Sequence, residues 1–145
     1  MKLSKYFTLE ELIASQFAAR HGIDNYPSSA VLPNILKLAK NLDEVRELLG
    51  KPVIVSSGYR CPDLNRALKS DITSTHVIGL AADFTSPSFG TPREVFDAIK
   101  ISGIRFDQLI LEFPGSPRSW VHIGFDNRTR QQKLTFDGLT YRAVT

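Results

Sequence analysis

The sequence predicts an α+β fold in which N-terminal helices pack on a small, mostly antiparallel sheet. Three observations predict it. Apolar residues at three- and four-residue spacing dominate up to Gly50. Short β-branched and alternating runs dominate after Pro52, with one long helical segment among them. A turn region at Pro114-Gly115 joins two of those runs too closely for a crossover helix. Length and composition agree: 145 residues, 42% hydrophobic and 23% charged, supply one core and predict a single domain over residues 1–145.

Thr8-Leu9-Glu10-Glu11 reads as a capping box, the threonine hydroxyl and the third-position glutamate satisfying free amides at a helix start. A short helix from about Leu9 to Ala19 follows, broken by Gly22, Asn25, Pro27 and Ser28-Ser29. Val31, Ile35, Leu38, Leu42, Val45 and Leu49 then form the buried stripe of a long helix ending at Gly50, with Lys37, Lys40, Glu44 and Glu47 on its wet face. Val53-Ile54-Val55 predicts a strand and Ser56 to Arg60 a loop. One or two helical turns are expected over Leu64 to Lys69, and polar loop from Lys69 to Val77. Ala81 to Phe84 predicts a second strand, and Pro92 to Ser102 a helix with proline in its first turn and Gly103 at its end. Leu109 to Phe113 and Trp120 to Phe125 predict an antiparallel hairpin. Beyond it, Arg128, Arg130, Lys133 and Arg142, with a turn at Asp137-Gly138, predict a basic β appendage.

Several classes are excluded. No apolar run approaches the ~20 residues of a membrane span. The positive start at Lys2 and Lys5 turns acidic at Glu10 and Glu11 before a signal-peptide core could form, so synthesis in the cytoplasm without a secretion signal is expected. The single cysteine, Cys61, rules out an internal disulfide framework and a multi-cysteine zinc site. A net charge of +3 is too small to define a partner, and the basic tail lacks the aromatic interleaving of a nucleic-acid surface.

The residues that carry chemistry lie in four segments. In Ser74-Thr75-His76-Val77-Ile78-Gly79-Leu80-Ala81-Ala82-Asp83, a turn at Gly79 lets a loop histidine fold back over an aspartate projecting from a strand. In Trp120 to Phe125, alternation puts Val121, Ile123 and Phe125 in the core and Trp120, His122 and Gly124 on the opposite face. His76, Asp83 and His122 together make two imidazoles and one carboxylate, a set that suits catalytic zinc and equally non-haem iron. Gln108, Ile110 and Glu112 share one strand face, so Glu112 can reach the side that carries His122 and serve as general base; Asp107 and Asp126 are its rivals. Ser57-Gly58-Tyr59-Arg60 follows a strand end, where Arg60 offers a forked donor to a substrate carboxylate or an oxyanion, or else pairs structurally with Asp63. Cys61 has no local histidine partner and is set aside.

Ser57-Gly58-Tyr59-Arg60, the Ser-x-His-x-x-Gly-x-Ala-x-Asp pattern from Ser74 to Asp83, and Trp120-Val121-His122 together resemble the signature of the zinc D-alanyl-D-alanine carboxypeptidase family. Its superfamily includes bacteriophage L-alanyl-D-glutamate endolysins, and the resemblance runs from about Phe7 to Phe125. It implies a hedgehog-like zinc peptidase fold, with one Zn2+ per chain held by His76, Asp83 and His122. It also implies that Arg60 steadies substrate and transition state, and that Ser57, Tyr59 and Ser74 contact substrate. Many members carry an acidic general base three positions before the last histidine; here that position is Ser119, which moves the role to Glu112. The implied substrate is the stem peptide of bacterial peptidoglycan. The implied setting is a monomeric phage or prophage endolysin that reaches the wall through a holin-type membrane lesion. The alternative is a non-catalytic, zinc-stabilised module that binds wall peptide or a protein partner.

Overall fold

In the computed structural model, which describes residues 1–145, the elements run α1 (Leu9–Ile13), α2 (Gln16–Arg20), α3 (Leu32–Leu49), β1 (Ile54–Ser57), α4 (Pro62–Ala67), β2 (Ala81–Thr85), α5 (Pro92–Lys100), β3 (Gln108–Glu112), β4 (Trp120–Gly124), β5 (Gln132–Phe136) and β6 (Tyr141–Ala143). The strands form one six-stranded sheet in the order β1-β2-β4-β3-β5-β6. Every pairing is antiparallel except β3 with β5, so the predicted α+β class with a mostly antiparallel sheet holds. No helix is long and apolar enough to cross a membrane.

The helices stop and start where local chemistry dictates. Thr8 and Glu11 form the expected capping box on α1, and Thr91 with Glu94 forms another on α5, whose first residue is Pro92. The helix predicted over Leu9 to Ala19 is instead two. Ala14 is extended, and the hydroxyl of Ser15 accepts from the amide of Ala18 to begin α2. A serine that competes for free amides makes a better start than a helix interior. The break leaves the carbonyl of Leu12 free to accept the amide of Tyr59 at 2.8 Å.

Alternation divides the sheet into a core face and a wet face. Ala82, Phe84, Leu109, Leu111, Val121 and Ile123 meet Ile35, Leu38, Leu42 and Val45 of α3 and Val95, Phe96 and Ile99 of α5. Each of these side chains larger than alanine, fully buried, stabilises the fold by roughly 1.5–3 kcal/mol. The intervening residues Asp83, Ile110, Glu112, Trp120 and His122 line a cleft of about 660 Å³ on the opposite face.

The segment after β4 is no appendage. β5 runs parallel to β3 in register, with Ile110 opposite Leu134, and β6 folds back on β5 past Asp137-Gly138. The expected β structure and the turn at Asp137-Gly138 are there, and only the pairing with β3 went unread, because pairing partners depend on backbone positions distant in the chain. Asp107, 1% exposed, ties the connection down by accepting from Nε and Nη2 of Arg130, both at 2.8 Å, and from the Arg130 amide at 3.0 Å.

Candidate metal centre and active site

Strand register assembles the site. Asp83 of β2 and Ile110 of β3 stand directly opposite His122 of β4, and Glu112 stands opposite Trp120. Directly opposed residues share a face, so one side of three strands delivers a carboxylate, an imidazole and a second carboxylate. His76 arrives from the loop before β2. Gly79 takes φ +78°, a left-handed turn that favours glycine, and the chain doubles back. His76 Nε2 then lies 3.3 Å from Asp83 Oδ1, and His122 Nδ1 lies 2.9 Å from the same oxygen.

These three side chains are buried, and their ligating atoms all lie within 4.8 Å of one another. The other ring nitrogen of His76, Nδ1, donates to the carbonyl of Gly58 at 2.6 Å, which leaves the Nε2 lone pair facing the cluster. Gly58 can serve there because a Cβ would stand 2.3 Å from the carbonyl oxygen of Leu12. The amide of Arg60 in turn donates to the carbonyl of His76 at 3.1 Å, locking loop to loop. Burial holds His76 below its ordinary pKa against the pull of Asp83, which favours the neutral, ligating imidazole. Burial alone would raise Asp83. The attraction His76 exerts whenever it is protonated, together with the hydrogen bond from His122 Nδ1, outweighs burial and holds the carboxyl well below the usual carboxylate range. Two imidazole nitrogens and an ionised carboxylate, held this closely, form a group able to bind a divalent metal ion.

Arg60 and Glu112 flank the cluster. Arg60 places Nη2 3.3 Å from Asp83 Oδ2 and donates from Nε to Ser57 Oγ at 3.0 Å. Its structural alternative, Asp63, pairs with Arg66 instead. Glu112 accepts the indole N–H of Trp120 on Oε2 at 3.0 Å. Burial, then the charge of Asp83, pushes its carboxyl up; His122, Trp120 and Arg60 offset only part of this. Ser119 does not reach the cluster as an acid would. Its hydroxyl donates to the backbone carbonyl of Glu112 at 2.6 Å and fastens the strand end. The rivals are otherwise engaged, Asp107 by Arg130 and Asp126 by Nε of Arg128 at 3.2 Å.

A protein-family model described as peptidase M15 matches residues 5–124. The chain belongs to the peptidase M15 family. No curated protein matches it. The M15 match contains His76, Asp83, His122, Arg60 and Glu112, and ends at the last residue of β4, before β5 and β6.

Three predicted substrate contacts of this M15 chain are placed differently. Ser74 lines the cleft, its Oγ accepting from the amide of His76 at 3.3 Å. Ser57 is turned to Arg60, so its hydroxyl positions the guanidinium. Tyr59 is corrected: it is 5% exposed and packs in the core. Tyr59 lies past the end of β1, where its amide donates to the carbonyl of Leu12 at 2.8 Å and the loop is drawn against α1, with the ring in the core. Cys61 has a structural part, its sulfur accepting from the amide of Leu64 at 3.4 Å to cap α4. Sequence reasoning missed the Gly58 carbonyl, the Trp120 indole as partner of Glu112, and Phe136 and Tyr141 of β5 and β6 on the cleft wall. Only Trp120 left a signal, since alternation already put it on the His122 face.

Proposed function

We propose that this M15 chain is a zinc peptidase that hydrolyses the stem peptides of bacterial peptidoglycan, an endolysin-like enzyme of phage or prophage. The observation that carries the reading is the convergence of His76, Asp83 and His122 with Glu112 and Arg60 in one cleft. His76, Asp83 and His122 would hold the ion, and three protein donors are the count of a catalytic rather than a closed structural zinc site. Bound there, zinc supplies Lewis-acid activation of a water and of the scissile carbonyl. The stem-peptide substrate is supported by the likeness of the Ser57–Arg60 and Ser74–Asp83 motifs to D-alanyl-D-alanine carboxypeptidases. Within this reading the enzyme acts as a monomer, is made in the cytoplasm and meets the wall after holin-type release.

The chain's own residues handle the proton and the developing charge. Glu112, one oxygen held by Trp120, takes a proton from the attacking water through the other and returns it to the departing amine. A carboxyl pushed toward neutrality by its surroundings suits both directions of that transfer. Arg60, fixed by Ser57 and Asp83, turns its remaining N–H donors toward the carbonyl oxygen as it gains negative charge. A non-catalytic binding module leaves this placement of Glu112 without a purpose.

The test is turbidity loss and peptide release from isolated peptidoglycan, with zinc, with chelator, and with Glu112→Ala. Hydrolysis that needs both zinc and Glu112 is expected. Zinc-dependent folding with no hydrolysis would transfer the chain to the binding-module reading.

A further inference from the structure

We infer that the β5–β6 hairpin is a substrate-positioning wall, on which the ring of Tyr141, stacked on Phe136, receives an alkyl side chain of an extended peptide. This rests on the peptidase reading above. Both rings line the same cleft as Glu112 and His122. Their centroids are 4.3 Å apart and their planes 25° from parallel. Phe136 leans on Phe113 at 6.0 Å, and Phe113 on Trp120 at 5.3 Å, so an unbroken aromatic row runs from the indole that holds Glu112 out to Tyr141. A ring buttressed in this way is already ordered before substrate arrives, and it has little conformational freedom left to lose.

Tyr141 nonetheless remains 57% exposed, at the open end of a row whose other members are partly covered. The ring lines the cleft together with Glu112 of β3 and Asp71 of the loop before β2. A peptide lying in the cleft beside Glu112 would pass it. The hairpin lies beyond the M15-matched residues, so the wall is a place where this chain sets its own substrate preference.

The experiment uses the zinc-loaded protein and a synthetic wall stem pentapeptide. Tyr141→Ala is expected to raise KM about tenfold with kcat within about twofold, the pattern of lost uniform binding. Tyr141→Phe, which keeps the ring, is expected to behave as wild type. In a Glu112→Gln background, the Kd for the same peptide should rise with Tyr141→Ala by a similar factor. Zinc content and thermal midpoint monitor the fold, and Tyr141→Thr, a strand former without a ring, substitutes if the alanine variant is unstable. Wild-type hydrolysis with KM and Kd unmoved by loss of the ring would overturn the wall and leave the peptidase reading standing. A wild-type chain that neither cleaves nor binds the peptide ends both.

Discussion

Trp120 donates its indole N–H to Oε2 of Glu112 at 3.0 Å, across a directly opposed pair of β3 and β4. The bond favours the ionised carboxylate, against the burial and the Asp83 charge that push the pKa up. Trp120→Phe keeps an aromatic ring and removes the donor. Glu112 should then lose its proton only at higher pH, and the acid limb of kcat/KM should move upward. Below the shifted limb kcat/KM should fall by roughly tenfold or more at a given pH, since a hydrogen bond to a charged group contributes about 1.5–3 kcal/mol. A pH–rate profile is the measurement, and an unmoved acid limb would put the base elsewhere.

Gly58 joins the fold to the candidate metal site, because its carbonyl orients His76 while its missing side chain lets the loop touch α1. In Gly58→Ala the new methyl meets the backbone oxygen of Leu12, which has no flexible end to give way. The loop should move off α1, and zinc affinity should fall about 10–100-fold, as when an outer-shell partner of a ligating histidine is lost. Competition against a calibrated chelator reads that change directly.

Asp107 immediately precedes the strand that carries Glu112, and its oxygens are committed to Arg130. Asp107→Asn should leave kcat nearly unchanged and lower stability by about 2 kcal/mol. The hydrogen bonds from Arg130 lead the causes that hold its folded-state pKa below the ordinary carboxylate value. The stabilisation is therefore complete above about pH 4, the unfolded value, and is lost as pH falls through the lower folded one. Denaturant melts of both proteins should differ at pH 7 and converge in acid. Loss of turnover without loss of stability would reinstate Asp107 as a candidate base.

Metal binding to His76, Asp83 and His122 should appear as thermal stability. With free zinc at a hundred times its Kd, the folded state gains about 2.7 kcal/mol. A raised thermal midpoint, reversed by chelator and absent in His122→Ala, is the expected calorimetric result. An identical zinc response in His122→Ala would place the ion at another site.

How much of this was legible in the sequence follows from the range of the interactions. Val121, His122 and Ile123 declared their faces through strict alternation, and the turn at Pro114-Gly115 delivered Glu112 to the same side, because both signals are local. Thr8 and Glu11 announced a helix start for the same reason. Tyr59 was misplaced because the loop after β1 is held by a contact with Leu12 of α1, far away in the chain, which no local pattern marks. The pairing of β5 with β3, the grip of Arg130 on Asp107 and the arrival of Phe136 and Tyr141 at the cleft depend on contacts between distant segments that no short pattern records.

β4 serves two masters with consecutive residues: Val121 and Ile123 hold the interior together, and His122 between them belongs to the chemistry. One amino acid inserted early in this strand would exchange those duties, burying the imidazole among aliphatic side chains and turning valine or isoleucine toward the substrate. Deterioration of the enzyme and deterioration of its scaffold would then come from the same genetic accident. Engineers who want to vary the molecule should lengthen its connections and leave the central ribbons at their present count.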